Sequence, residues 1–90
     1  MNWEIIYYNE AVRLWVDSLP VGIRAYYAWI TGEMRQYGPN LEMAYTRALG
    51  GDELFEMRAR GKEGIVRVFY CMVVRGNVVR IVGLFLSGFG

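Results

Sequence analysis

Residues 52–86, DELFEMRARGKEGIVRVFYCMVVRGNVVRIVGLFL, decide the fold of this chain. Apolar and polar residues alternate along three runs, and such alternation is typical of half-buried strands. Glycine-marked turns separate the runs, and a Gly-Asn pair between two such runs indicates a tight hairpin. We therefore predict a three-stranded antiparallel meander, with strands over Leu54–Arg60, Ile65–Arg75 and Val78–Leu86 and turns at Gly61–Gly64 and Gly76-Asn77.

The lengths of the two turns predict which residues lie opposite each other. We assign a four-residue loop to the first turn and a two-residue turn to Gly76-Asn77. A slip of one residue would move every side chain of a strand to the other face, so each assignment can be tested. The predicted pairs are Arg58 with Arg67, Glu56 with Phe69, Arg60 with Ile65, Val73 with Arg80, and Arg67 with Leu86.

Cross-strand partners share a face of the sheet, so these pairs sort the meander into two faces. The first face carries no charge: Phe55, Met57, Ala59, Val66, Val68, Tyr70, Met72, Val74, Val79, Ile81, Gly83 and Phe85. The second face concentrates basic residues: Arg58, Arg60, Arg67, Arg75 and Arg80, mixed with Glu56, Phe69, Cys71 and Val73. We expect the first face to be packed and the second to look outward.

The residues before the meander predict one strand and two helices. Trp3–Tyr8 is a short apolar and aromatic run, and Asn9 can cap a helix that begins after it. In that helix Ala11, Leu14, Trp15 and Ser18 share a stripe, with Val12 and Val16 close by. A second helical pattern covers Val21–Tyr37 and ends at Gly38-Pro39. Residues 41–49 form a connector, and Gly50-Gly51 is a turn into the meander. The order predicts an α+β domain: an N-terminal strand, a helical pair, then the antiparallel meander.

Composition narrows the class of protein. Ninety residues with 54% hydrophobic content form one domain, residues 1–90, and the net charge of +1 favours no particular partner. The sequence lacks histidine and holds one cysteine, Cys71, which excludes the usual zinc site and histidine-dependent triads. We expect no metal and no cofactor. The unpaired cysteine, and the lack of a signal peptide or of an apolar run long enough to cross a membrane, predict a cytoplasmic protein.

The basic face suggests an anionic ligand. Nine of the ten basic residues are arginine, whose planar fork suits phosphate or carboxylate. Phe69 between them could stack on a nucleobase. The ordinary alternative is a solvated face whose arginines pair with Glu56 and Glu63. A carboxylate cluster for a metal at Asp52, Glu53 and Glu56 is disfavoured, because these residues alternate between faces as they enter a strand.

The same residues resemble a known family. TRALGG at residues 46–51 and LFEMRARGKEGIVRVFYC at residues 54–71 are similar to the core of RelE/HigB-like toxins of bacterial type II toxin–antitoxin modules. The phage-derived branch, whose members read much like LGxGLFELRxKGKxGIxRxFYC, is the most similar. The resemblance covers residues 1 to about 82. The matching positions are Leu49, Gly50, Leu54, Phe55, Glu56, Arg58, Gly61, Lys62, Gly64, Ile65, Arg67, Phe69, Tyr70 and Cys71.

This resemblance implies a compact α+β fold and a toxin that cuts messenger RNA, commonly on the ribosome, until a cognate antitoxin inhibits it. In such enzymes the RNA 2′-hydroxyl attacks the adjacent phosphate and basic residues stabilise the developing charge. Arg58 and Arg67 match the family's basic positions and are the expected catalytic residues. The expected supporting RNA contacts are Arg60, Lys62, Phe69, Arg75 and Arg80.

The chain departs from the family pattern after its last strand. Relatives continue with a His/Ser-Phe-x-Lys-Lys-Thr stretch and a helix, whereas this chain ends GLFLSGFG without lysine, histidine or tyrosine after Arg80. We expect a relative that misses the C-terminal segment, with Leu84, Phe85, Leu86 and Phe89 uncovered and driving homo-oligomerisation. Three functions stay open: an RNA-cutting toxin, a non-catalytic relative that only binds antitoxin, RNA or itself, and a gyrase poison.

Overall fold

The computed structural model describes residues 2–39, 46–48, 54–73 and 75–87, with residues 46–48 described through their backbone. It confirms the α+β class and the helical pair between the first strand and the meander. The predicted turn at Gly50-Gly51, Val74 of the apolar face and Phe89 lie outside the described residues. The elements are β1 (Glu4–Tyr7), α1 (Glu10–Asp17), α2 (Val21–Tyr37), β2 (Thr46–Ala48), β3 (Phe55–Gly61), β4 (Gly64–Val73) and β5 (Val78–Ser87).

The helix ends follow from local chemistry. The Asn9 side chain accepts a hydrogen bond from the Val12 amide at 2.9 Å, as predicted, which satisfies one of the free donors at the start of α1. Helix α2 ends at Gly38, whose φ of 86° is a conformation that favours glycine and whose amide donates to the Met34 carbonyl at 2.7 Å. The two helices therefore begin and end close to the predicted residues.

The described strands form one five-stranded sheet in the order β1-β5-β4-β3-β2. The antiparallel meander β3–β4–β5 is confirmed. The prediction placed the last strand at an uncovered edge, and that is wrong for Val78–Ile81, because β1 pairs with these residues in parallel. Part of the predicted connector, Thr46–Ala48, pairs with β3 and forms the opposite edge.

The register of the first hairpin is confirmed. Arg58 lies opposite Arg67, and the two pairs on either side of it are also as predicted. The ladder continues one step further, to Gly61 opposite Gly64, so the loop itself holds only Lys62 and Glu63. Counting from Arg60 to Ile65 gives the same register for either loop length, which is why the prediction survives.

The register of the second hairpin differs from the prediction. Val73 pairs with Val78, and Arg80 pairs with Cys71 instead of Val73. The turn is therefore longer than the predicted two residues, and it has positive φ at Gly76 (97°) and Asn77 (56°). Arg75 lies in this turn and not on the sheet face.

A β-bulge changes the sidedness of the last strand. The register shifts between Phe69 and Tyr70, and the extra residue on β5 is Val82, which lies between the partners of those two residues. From there on, Leu84 faces the core at 6% exposure and Phe85 points away from it at 54% exposure. The prediction that Phe85 lies on the apolar face and Leu84 is uncovered is therefore wrong: a bulge reverses which residues of a strand face inward.

The core lies between the helices and one face of the sheet. Burial of its apolar side chains, at about 25 cal/mol per Å² of area removed from water, holds the layers together. On α1 the inward residues are Val12 and Val16, while Leu14 and Trp15 of the predicted stripe face outward. The buried apolar residues are Val12, Val16, Leu19, Ile23, Tyr27, Ile30, Met34, Phe55, Met57, Ala59, Val66, Val68, Tyr70, Val79, Ile81 and Leu84.

Neither helix in the described part of the chain combines the length and apolar character that crossing a membrane requires.

Candidate nucleic-acid interface

The side of the sheet away from the helices carries the predicted site. We call it the arginine face, and its register defines it: Glu56, Arg58 and Arg60 on β3; Ile65, Arg67, Phe69 and Cys71 on β4; Arg80, Gly83 and Phe85 on β5. Cross-strand neighbours on one face lie about 5 Å apart at Cβ, so the predicted catalytic arginines on β3 and β4 are direct neighbours.

Glu56 joins the two arginines. Its side chain is only 2% exposed, and its Oε2 accepts a hydrogen bond from Arg67 Nη1 at 3.0 Å. The same oxygen lies 3.9 Å from Arg58 Nε. Two guanidinium groups directly opposite each other repel, and a buried carboxylate requires cationic or hydrogen-bonding partners. The Glu56 charge therefore offsets the repulsion between the arginines, and the arginines offset the cost of burying Glu56. The pairing of the arginines with Glu56, which the ordinary alternative predicted, is therefore present in the structure.

The arginine pair keeps donors for a ligand. The Arg58 and Arg67 side chains are 36% and 41% exposed. A guanidinium has five N–H donors, and the hydrogen bond from Arg67 to Glu56 uses one nitrogen. The outer edges of both groups can therefore receive an anion with two oxygens, such as a phosphate.

The other predicted contacts are spread along the sheet. Arg60 is exposed and lies one register step beyond the arginine pair, opposite Ile65. Arg80 is exposed and lies opposite Cys71, four residues along β4 from Arg67, or about 13 Å.

Lys62 and Arg75 lie in the turns at opposite ends of β4, which are about 30 Å apart along the strand. Both side chains are exposed. The structure thus brings Arg58, Arg60, Arg67 and Phe69 together, sets Arg80 at a distance, and separates Lys62 from Arg75.

Glu63, the second predicted partner of the arginines, is used elsewhere. Its Oε2 accepts a hydrogen bond from the Gly22 amide at 2.9 Å, at the start of α2. This bond lowers the pKa of Glu63 below its ordinary value, since it favours the charged carboxylate. Glu63 therefore joins the tip of the β3–β4 hairpin to a helix and is not part of the arginine face.

Sequence reasoning missed two features of the interface. It weighed Glu56 as one possible partner of the arginines, without its burial between them. It placed Phe85 on the apolar face, although Phe85 lies directly opposite Arg67 on the arginine face. A signal for the second was present: glycine inside a strand often marks a bulge, and Gly83 directly follows the bulged Val82.

Comparisons with known proteins agree with this architecture. Residues 14–84 match the family described as Phage derived protein Gp49-like (DUF891). No curated protein matches the chain. The archaeal RelE of a RelE–RelB complex from Pyrococcus horikoshii OT3 superposes with a TM-score of 0.70 at 22% identity, over 100% of both chains.

A second solved structure is the toxin RelE of E. coli, a double arginine-to-alanine mutant in the free state. Its TM-score is 0.69 at 13% identity, over 93% of this chain and 82% of that chain. At these identities the two structures establish the fold. The family match spans most of the sequence, from Leu14 in α1 to Leu84 in β5. The chain therefore belongs to the phage-derived Gp49-like family and has the fold of RelE toxins.

Proposed function

We propose that this protein is the toxin of a toxin–antitoxin pair and cuts messenger RNA, with Arg58 and Arg67 binding the phosphate at which cleavage occurs. The single observation that carries the proposal is the arginine pair on an open sheet face, with Glu56 buried between the two side chains. Such an arrangement holds two cationic forks in fixed positions before a ligand arrives, and preorganised charge is the largest common contribution to catalysis.

The proposed reaction is an internal attack. The 2′-oxygen forms a bond to the adjacent phosphorus, its proton leaves to a base, and the bond from phosphorus to the 5′-oxygen breaks as that oxygen gains a proton. The products are a 2′,3′-cyclic phosphate and a free 5′-hydroxyl. Arg58 and Arg67 neutralise the charge that develops on the non-bridging oxygens, while Arg60 and Arg80 hold the backbone on either side.

The partners follow from the same proposal. A site that supplies charge gains most from a substrate already held in line for attack, and messenger RNA on the ribosome is such a substrate. The similar archaeal RelE was solved in complex with RelB. We extend that arrangement to this chain as a proposal: a cognate antitoxin binds the toxin and keeps it from RNA.

A second candidate is a non-catalytic binding protein. One observation favours it: the chain has no histidine, and Glu56, the described carboxylate of the arginine face, is already bound by Arg67. Proton transfer to and from the two oxygens then lacks an obvious side chain with a pKa near neutrality. Such a protein would still bind RNA or an antitoxin without cutting.

The test is induced expression in bacteria, with primer extension on abundant messenger RNAs. Wild type should arrest growth and produce discrete cuts, and Arg67→Lys should lower cutting by at least tenfold, since lysine keeps the charge but loses the fork. Arg35→Ala, on the exposed side of α2, is the matched control and should behave like wild type.

The alternatives give different results. Growth arrest without cut RNA, or no arrest with retained binding of the partner encoded beside the gene, would support the binding protein. Arrest with DNA damage signalling and intact messenger RNA would support a gyrase poison. Cutting that Arg67→Lys leaves at wild-type level would remove the arginine pair from the mechanism.

A further inference from the structure

The far half of β5 brings two aromatic rings and an open glycine to one place on the arginine face. Gly83 lies directly opposite Phe69, and Phe85 lies directly opposite Arg67. Phe69 and Phe85 are therefore diagonal neighbours across the β4–β5 ladder. Phe85 is 54% exposed, although a phenylalanine side chain gains most when it is covered.

No described residue fills the space above Gly83. A Cβ built at this residue would have no heavy atom of the described part of the chain within 4 Å. Any other residue type would place a side chain there. Because glycine has none, the arginine face has a gap at this position, and Phe69 on β4 and Phe85 on β5 border it.

The width of this gap matches one planar ring. Diagonal neighbours across an antiparallel ladder are about 7–8 Å apart. A base stacked between two rings needs about 7 Å, twice the ~3.4 Å spacing of stacked bases. The register spacing of Phe69 and Phe85 therefore suits one base and not two.

Charge selects the class of ligand. Arg67 lies directly opposite Phe85 and two residues from Phe69 along β4. Arg58 lies opposite Arg67 on β3. Aromatic rings for bases beside cations for the backbone are the pattern of sites that bind single-stranded nucleic acid. An apolar peptide would cover the rings but would offer no anion to the donors of Arg58 and Arg67 that Glu56 does not use.

We propose that Phe69 and Phe85 form a base slot, which holds one nucleobase of single-stranded RNA over Gly83 beside the phosphate bound by Arg58 and Arg67. The slot rests on the proposed function and adds to it a fixed position for one nucleotide next to the cleaved bond. Since every base has a stacking surface, the slot discriminates little between bases and mainly sets where along the strand the phosphate stops.

The test measures binding of a 2′-O-methyl RNA of about 12 nucleotides, which cannot be cut, by fluorescence anisotropy at fixed salt. A series of the same oligonucleotide carries one abasic site at each position in turn. Wild type should lose about tenfold in affinity at one position and much less at the others. Phe85→Leu should bind the intact RNA about tenfold more weakly and lose nothing more at that position.

Two further variants make the comparison specific. Phe85→Trp keeps a stacking ring and should retain wild-type affinity and the same sensitive position. Tyr37→Leu removes an exposed aromatic ring from the end of α2, on the helix side of the sheet, and should change nothing. Thermal unfolding of Phe85→Leu should match wild type within a few degrees, because the ring is exposed.

Different failures have different meanings. If Arg67→Lys weakens binding but Phe85→Leu does not, or if Phe85→Leu weakens all abasic oligonucleotides equally, the slot is overturned and the proposed function stands. If wild type binds none of these oligonucleotides, the slot is overturned, whereas the proposed function is decided separately by the cuts in cellular messenger RNA. If Phe85→Leu leaves RNA binding intact but abolishes antitoxin binding or self-association, the rings belong to a protein contact and the slot is overturned.

Discussion

At Glu56, a buried carboxylate meets two guanidinium groups on the side of the sheet that faces away from the core. The hydrogen bond from Arg67 and the proximity of Arg58 restrain both side chains while leaving each more than a third exposed. A carboxylate in this place lowers the positive charge that a phosphate would meet. It also removes the freedom of the arginines to point elsewhere, so we assign Glu56 a positioning role.

The substitution Glu56→Gln separates these two effects. It keeps the volume but removes the charge, so RNA binding should stay equal or become tighter while the cleavage rate falls by about tenfold. The free energy of unfolding should drop by about 1–2 kcal/mol, as expected for a weakened buried hydrogen bond. Single-turnover cleavage and anisotropy on the same RNA measure the two quantities. Glu10→Gln on exposed α1 is the control, and a parallel loss of binding and cleavage would contradict a positioning role.

At the same scale, single residues explain what the sequence could and could not predict. Arg58 and Arg67 were paired correctly because alternation and flanking glycines fix a hairpin locally. Phe85 was placed on the wrong face because one extra residue, Val82, changes the parity, and a bulge is selected by how the strand packs. Leu14 and Trp15 resembled core residues because the apolar residues of α1 span a broad arc opposite its charged side, and only the position of the sheet decides which part of that arc is buried.

At the scale of elements, the contact between the β3–β4 hairpin and the start of α2 joins two parts of the molecule. Glu63 supplies the acceptor for the Gly22 amide. Glycine is required at Gly61, where a Cβ would lie 2.8 Å from the backbone of Gly22 and Ile23. A Cβ at Gly22 would lie 2.6 Å from Glu63 Oε1, so the Glu63 side chain would have to shift. Sequence alone did not predict this contact, which joins residues 41 positions apart.

The Glu63 contact predicts a pH dependence of stability. The hydrogen bond from Gly22 lowers the pKa of Glu63 in the folded protein, whereas in the unfolded chain the pKa is about 4.3. A lowered folded pKa adds stability that is complete above about pH 4.3 and is lost as the pH falls through the folded pKa. Exposed Lys62 next to it adds to the lowering.

Urea unfolding of wild type and Glu63→Gln at pH 7 and about pH 3 tests this sign. Wild type should be more stable than the variant at pH 7, and the difference should shrink at the lower pH. Glu10, whose pKa is also lowered, by Arg13, is present in both proteins and cancels in the comparison. An equal difference at both pH values would mean that the Glu63 charge does not contribute.

The surroundings of Gly61 and Gly32 predict opposite effects of an alanine substitution on stability. Gly61→Ala should destabilise the protein by about 1–3 kcal/mol, because the new methyl group would press against the backbone of α2 and force the hairpin away. Gly32→Ala inside α2 should stabilise it by up to about 1 kcal/mol, since a Cβ built there has no atom of another described element within 4 Å and alanine favours the helix. Thermal or urea unfolding measures both, and a stabilising Gly61→Ala would contradict the close approach.

At the scale of the molecule, β1 pairs with only part of the edge of β5. The described pairs of β1 reach only Val78–Ile81, so β1 does not extend along Val82–Ser87. Leu86 shares the core side of this segment and is 41% exposed. Unpaired strand edges with apolar side chains favour pairing with another chain.

We therefore predict a dimer in which the free edge of β5 participates. Light scattering of the purified protein should give twice the mass of the chain at high concentration, and Leu86→Lys should shift the protein toward monomer. Leu54→Lys, at an equally exposed leucine before β3, is the matched control and should leave the mass unchanged. A wild type that stays monomeric at high concentration would contradict the prediction.

The amide of Gly22 has one more consequence. Its hydrogen-bond acceptor is a side chain on a distant hairpin and not a carbonyl of its own helix. Its hydrogen should therefore exchange with solvent deuterium whenever the hairpin tip lifts from α2, even while the rest of the helix stays closed. The amide of Arg24 donates to the Pro20 carbonyl and serves as the reference. The exchange rate of the Gly22 amide relative to that of Arg24 therefore measures how often the hairpin tip opens.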